Sequence, residues 1–351
     1  MIAEHCTQPE WIEKARLKYS LDPGLLEKNI YALMLLEQLQ LSGLPFTFKG
    51  GTALQLLLSQ TTRLSKDIDI VVHPAHKVRL EACLQKVNTR LFPHFGLNER
   101  ESAIAVPKAH YKFLYNGLYG YKHEKPDVLL DVLFEENRYT DLLNLPVKTA
   151  FTEHEGDEIL VSVPTVEAIL GDKMTAFAPN TIGVPYNRSG ADMTMEVLKQ
   201  CHDIARLSVH VQDWQKVRLN FNRFTETESG YEGREVYIPE QVLEDAYQTA
   251  LCICSDGKLG TGQIDLLSRG MQKIGAYSFI KPYNKTAIQA DAAKAAWAAR
   301  QLLTGSKAVF PVFDPAAKPV LIENPDLNKL NKALKAANPE ALFYWKAIEG
   351  M

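Results

Sequence analysis

Two stretches, FKGGTAL at residues 48–54 and RLSKDIDIVV at residues 63–72, carry the reading of the fold. The aromatic and β-branched run ahead of Lys49 predicts a short strand, and Gly50-Gly51 predicts a tight turn out of it. TALQLLL continues at helical spacing, and DIDIVV alternates acid with apolar before turning fully apolar, as a strand with one working face does. Residues i and i+2 of a strand share a face, so this spacing sets Asp67 and Asp69 side by side, about 6–7 Å apart at Cα. Two such carboxylates repel, and each costs desolvation unless a cation lies between them. Oxygen-only ligands suit magnesium, which takes one or two carboxylates plus substrate phosphates. A glycine pair lets backbone approach a phosphate, and the following helix N-terminus offers free N–H groups. Alone, D-x-D is better read as an exposed strand edge with solvated acids. The order strand, Gly-Gly, helix, strand, D-x-D is far more specific.

Working outward, Leu25 to Leu41 has helical spacing behind a start at Asp22-Pro23-Gly24. His76 to Phe92 reads as an amphipathic helix, and Tyr111 to Tyr115 and Val128 to Phe134 read as strands. Together these predict a small α/β domain over roughly residues 20–150. Asp131 lies inside the apolar run VLLDVLF, where a carboxylate is expensive unless paired or metal-bound. If that strand neighbours DIDIVV, three acids converge as two-metal phosphoryl transfer requires; capping a loop or pairing with an arginine would also account for it. After Pro164 the chain reads as helical, with Thr165–Phe177 and Met193–Leu207 joined by a loop rich in Pro and Gly. Residues 222–239 are polar and turn-rich, the best linker. Glu240–Cys252, Ala287–Leu303 and part of Pro325–Trp345 read as further helices. The resulting division is an N-terminal helical segment 1–44, a core 45–163, a helical region 164–221, the linker 222–239 and a mainly helical region 240–351.

Composition narrows the function classes. The chain has 351 residues, 46% hydrophobic, and 39 Lys plus Arg against 42 Asp plus Glu leave a net charge of −3. That excludes a protein that binds nucleic acid by bulk charge, though not one with a local basic surface. Residues 281–346 carry ten Lys and Arg against five Asp and Glu, which reads either as a solvated face or as part of an RNA-facing surface. No run reaches the ~18–20 apolar residues of a membrane helix, and MIAEHCTQPEWIEK lacks the basic-then-apolar pattern of a signal peptide. The five cysteines are scattered, and Cys252-x-Cys254 matches no zinc spacing. The expectation is a soluble cytoplasmic protein with reduced core thiols.

FKGGTAL, RLSKDIDIVV and a later strand Asp together form the motif set that resembles the DNA polymerase β-like nucleotidyltransferase superfamily. More narrowly the chain resembles the AbiEii/AbiGii nucleotidyltransferase toxins, including the MenT type. SLDPGLLEKNIYALMLLEQL, VPTVEAILGDKMTAF and MEVLKQCHDIARL extend the likeness over about residues 18–210, and KTAIQADAAKAAWAARQLLTG continues it loosely. The resemblance implies an α/β (α+β) fold: a polymerase β-like nucleotidyltransferase core with a mixed sheet, followed by a mainly helical C-terminal region. It implies that Gly50, Gly51 and Thr52 hold the phosphates of an NTP, and that Asp67, Asp69 and Asp131 bind magnesium, with two ions expected. Lys173 and Lys199 would contact the triphosphate, with Asp203 beside them. Taken alone, Lys199 and Asp203 at i,i+4 are an ordinary helix salt bridge worth ~0.3–0.5 kcal/mol, and Lys49, Arg63 and Arg188 are further phosphate candidates. The implied acceptor is a tRNA 3′ end, and the implied role is that of a phage-defence or toxin–antitoxin toxin restrained by a separately encoded antitoxin. Transfer to a protein side chain or small molecule, or a silent nucleotide-binding protein, remain alternatives from the same residues.

Overall fold

The computed structural model describes residues 1–58, 60, 62–99, 105–119 and 126–351. The chain divides into two compact units, residues 1–165 with 276–280, and residues 166–275 with 281–351.

The first unit opens with two helices, α1 (Pro9–Tyr19) and α2 (Pro23–Leu41). Asp22 starts α2 as the sequence predicts: its carboxylate accepts from the Leu25 amide at 2.8 Å, and Pro23 occupies the first turn. There follow β1 (Thr47–Lys49), α3 (Gly50–Leu57), β2 (Ile68–Val72), α4 (Lys77–Leu84), β3 (His94–Leu97), β4 (Lys108–Leu114) and β5 (Asp127–Phe134). The strands form one sheet in the order β1-β2-β5-β4-β3. β2 and β5 run parallel and the other pairs antiparallel, which makes the sheet mixed. In β5 the residues alternate strictly, with Val128, Leu130, Val132 and Phe134 buried and Asp127, Leu129, Asp131 and Leu133 half-buried. α2 is buried along most of its length, and its Tyr31 ring stacks on Tyr115 at 4.0 Å. A hairpin of β6 (Leu142–Pro146) and β7 (Leu160–Pro164) completes the unit.

Two expectations change here. The helix read over His76–Phe92 stops at Leu84, because Asn88 uses its side chain to accept from the Arg90 amide at 2.9 Å, a turn that competes with helix. The strand carrying D-x-D begins at Ile68, so Asp67 precedes it. Its antiparallel partner β1 ends at Lys49, opposite Asp69, and its parallel partner pairs only from Leu130, opposite Ile68.

The second unit is helical: α5 (Val166–Ala176), a short hairpin β8 (Asn187–Arg188) and β9 (Ala191–Asp192), then α6 (Thr194–Ser208), α7 (Trp214–Ser229), α8 (Pro239–Ser255), α9 (Ile264–Ile274), α10 (Lys285–Thr304), α11 (Lys329–Leu334) and α12 (Pro339–Glu349). α10 is buried on nearly every side, packing on α6, α8 and α12, because its alanines let neighbouring backbones approach all round. The linker read at 222–239 is corrected. Residues 222–229 are the end of α7, with Phe224 and Thr225 buried, and only the stretch from Gly230 to Ile238 connects it to α8. The helices on both sides belong to one unit. The polar residues that looked like a linker are α7's solvent side. Among the described residues no helix is long and apolar enough to cross a membrane.

Candidate active site

The turn after β1 is made by Gly50 in the left-handed region, at φ +76°, where a side chain is strained. A Cβ there would lie 2.1 Å from Asp69 Oδ2, so the Asp69 carboxylate rests directly against Gly50. A Cβ on Gly51 would lie 2.6 Å from Arg63 Nη2 and 2.9 Å from Ser65 Oγ. The glycine pair is therefore an opening into which Asp69 and Arg63 reach from the next segment. Arg63 is buried at 8% exposure and donates to the Leu64 carbonyl at 3.2 Å.

The segment from Arg63 to Asp67 is strapped down mainly by side chains. Thr52 Oγ1 donates to the Asp67 carbonyl at 2.7 Å, and Gln55 Nε2 to the Ser65 carbonyl at 3.5 Å. Asn29, wholly buried on α2, donates to the same Ser65 carbonyl and to Gln55 Oε1. Thr52 is thus buried and ties the glycine turn to the acidic segment. The N-cap residue Lys49 makes no side-chain cap bond to α3, and a helix N-terminus is where backbone amides meet an anion.

The sheet register gathers the chemistry. Lys49 pairs with Asp69, Asp69 with Asp131, and Asp131 with His110, so four polar side chains form one row across β1, β2, β5 and β4. Paired residues on neighbouring strands share a face, and all four are half-buried in a sheet whose other face is core. His110 Nδ1 and Asp131 Oδ1 are 2.6 Å apart, a contact that fixes the carboxylate on one side. Lys49 Nζ lies 5.8 Å from the centre of the Tyr139 ring. Sequence reading missed His110. Its signal was folding KAHYKFL against DVLLDVLF as an antiparallel pair, which sets the histidine opposite the acid.

Asp69 and Asp131 are cross-strand neighbours, and carboxylates so placed are oxygen donors that one hard cation can take together. Among the described residues no three His, Cys, Asp or Glu side chains are gathered closely enough to hold a metal ion alone. A hard cation that completes its shell with substrate phosphates fits this donor set, since magnesium needs only one or two carboxylates. Asp69 and Asp131 supply that pair, and Asp67 lies two residues ahead on the segment that Thr52 holds.

In the second unit, Lys173 on α5 meets Asp203 on α6 at 3.0 Å, and Gln200 Oε1 at 2.9 Å. Lys173 is 7% exposed and Asp203 is 1% exposed. Lys199 Nζ lies 2.8 Å from Glu196 Oε1. The structure thus brings Lys173 and Asp203 together from two helices, a pairing that i,i+4 spacing along α6 does not foretell. Nearby on α6, His202 and Arg206 both reach Asp291 of α10, His202 Nδ1 at 3.0 Å, and Tyr283 donates to the same carboxylate at 2.7 Å. Burial pushes the Asp291 carboxyl up, but the Arg206 charge and the His202 bond outweigh it and hold it at about 2. All five cysteines are buried and free.

Residues 34–243 match the family model described as Nucleotidyl transferase AbiEii toxin, Type IV TA system. A search of curated proteins finds no match. Among solved structures, a candidate nucleotidyltransferase of H. pylori is 13% identical, with a TM-score of 0.41 over 78% of this chain and 92% of its own. The Helicobacter pylori protein JHP933 is 12% identical, with a TM-score of 0.41 over 87% of this chain and 94% of its own.

Proposed function

This chain belongs to the AbiEii family of nucleotidyl transferase toxins of type IV toxin–antitoxin systems, and from that membership we propose that it moves NMP from an NTP to the 3′ hydroxyl of a tRNA. The observation that supports this most is the cross-strand pair Asp69–Asp131 set against the Gly50 turn. Asp67, Asp69 and Asp131 would hold magnesium, which supplies the positive charge that offsets the charge developing on the α-phosphate and on pyrophosphate. The remaining work belongs to the protein. The amides of Gly51 and Thr52 at the start of α3, with Gly50 giving them room, cradle the β- and γ-phosphates. Arg63, lying against Gly51, adds a fixed positive charge there. Asp131, steadied by His110, orients the acceptor hydroxyl for in-line attack. The new bond joins the acceptor oxygen to the α-phosphorus, the bond from that phosphorus to the bridging oxygen breaks, and pyrophosphate leaves with the electron pair. The family pattern assigns Lys173 and Lys199 of the second unit to the triphosphate, with Asp203 beside Lys173. The setting is a toxin that halts translation, in phage defence or a toxin–antitoxin pair, with a separately encoded antitoxin.

The test incubates the pure protein with magnesium and each α-labelled NTP, with and without total tRNA, beside Asp67→Ala and Asp69→Ala. Label on tRNA from one NTP, absent in both variants, is the expected result. Full activity in both variants removes the metal assignment. Label on protein moves the acceptor to a side chain.

A further inference from the structure

A cavity of about 570 Å³ opens in the first unit beside the acidic segment, away from the glycine turn. Tyr115, Tyr119, Tyr277, Lys28, Lys66 and Asp127 are among the residues that line it. Lys66 directly precedes Asp67. Asp127 lies four residues before Asp131 on β5, on the same half-buried face, about 13 Å away along the strand. The cavity therefore begins next to one of the candidate metal ligands and lies about 13 Å along β5 from Asp131.

Its parts are held in place. The buried Glu27 carboxylate accepts from the Leu118 amide at 2.6 Å and from the Tyr119 amide at 3.2 Å, which fixes the backbone carrying Tyr119. Gly24 completes the wall, since a Cβ there would lie 3.2 Å from the Tyr119 carbonyl. Tyr277 is held through its carbonyl, which accepts from the Leu64 amide at 2.8 Å. Lys28 Nζ stands 3.8 Å from Asp127 Oδ2, and burial pushes the Lys28 ammonium below its ordinary pKa.

Aromatic faces, ammonium groups and a carboxylate in one half-enclosed space form a nucleotide's complement. Rings take bases through stacking that tolerates any sequence, lysines take phosphodiesters, and a carboxylate accepts from a ribose hydroxyl, including the 2′-OH that separates RNA from DNA. We propose that this cavity seats the last nucleotides of a single-stranded RNA acceptor, with its bases on Tyr119 and Tyr277, its backbone at Lys28 and Lys66, and a ribose hydroxyl on Asp127. The proposal rests on the reading of the acid row as the transfer site; it adds where the acceptor strand lies.

The experiment uses the full chain and a short single-stranded RNA with a free 3′ hydroxyl. Tyr119→Ala and Tyr277→Ala raise the KM for RNA about tenfold and leave the KM for NTP within about twofold. Tyr119→Phe and Tyr277→Phe recover most of that loss, which a folding defect would not allow, and Asp127→Asn narrows the preference for RNA over the matching DNA. A rise in the NTP KM with the RNA KM unchanged assigns the cavity to the donor and overturns the proposal, as does labelling of RNA that ignores both tyrosines. Binding of the same fluorescent RNA, measured by anisotropy without NTP, separates this reading from the transfer reading. If no acceptor is ever labelled yet RNA binding still needs the two rings, the cavity assignment stands and the transfer reading falls. If neither ring affects RNA binding, the cavity assignment falls whatever is labelled.

Discussion

Asp291 in the helical unit is 1% exposed and takes hydrogen bonds from His202, Arg206 and Tyr283. Asp69 and Asp131 on the sheet stand half-buried beside one another, with Lys49 across from Asp69 and His110 across from Asp131. The first arrangement supplies a buried carboxylate with donors on several sides, as a structural acid requires. The second sets two carboxylates in one cross-strand row with Lys49 and His110 at the mouth of a glycine turn, an oxygen donor pair of the kind a hard cation takes. If the acid row is the transfer site proposed above, stability and chemistry rest on acids in different surroundings, and substitutions of the two should part cleanly.

The largest separation is expected at Asp69. Asp69→Asn should lower kcat about a thousandfold or more, while unfolding by urea moves by about 0.5 kcal/mol or less. A large loss of stability with activity retained would reverse the two roles. Asp291→Ala should do the converse and cost about 3–5 kcal/mol of stability, because Arg206 and His202 are left facing a buried void. The sign with pH follows from Asp291's pKa of about 2, below the ordinary ~3.9. Its stabilisation, on the order of 2 kcal/mol, is fully present above the ordinary value and is lost as pH falls through about 2. The gap between melting curves of the native chain and Asp291→Ala should therefore stay constant from neutral pH down to about 4 and narrow only below it.

Gly50 sharpens the comparison at the backbone. Gly50→Ala must place a Cβ at φ +76° and 2.1 Å from Asp69 Oδ2. The left-handed conformation alone costs about 1–2 kcal/mol, and the carboxylate must also move. Activity should fall further than stability does, read as kcat at saturating NTP beside the urea midpoint.

How much of this was legible in the sequence differs between the units for a physical reason. Strand alternation and glycine turns are local signals, so FKGGTAL and DIDIVV located β1, the turn and β2 to within a residue or two. The start of β2 at Ile68 was not legible, because a strand's length depends on where its partners end. In the helical unit, NRFTETESG looked like a linker because only one side of α7 is apolar there, and the partner that buries Phe224 and Thr225 is set by tertiary packing. The sheet order, and with it the neighbour of Asp131, was equally hidden. No spacing rule tells that residue 110 faces residue 131 until the two strands are known to pair antiparallel.

His110 is for that reason the smallest and most discriminating test of the acid row. Its Nδ1 lies 2.6 Å from Asp131 Oδ1, so with the proton on Nδ1 it donates to a carboxylate, a bond worth about 1.5–3 kcal/mol when one partner is charged. It does not reach the glycine turn, so its loss should leave NTP binding untouched. His110→Ala should lower kcat about tenfold with the NTP KM unchanged, because Asp131 loses only its fixed orientation. His110→Gln, whose amide can donate to the same oxygen, should recover part of that loss. Equal activity in all three proteins would mean that Asp131 needs no anchor, and a matched rise in the NTP KM would place His110 in the donor's site instead.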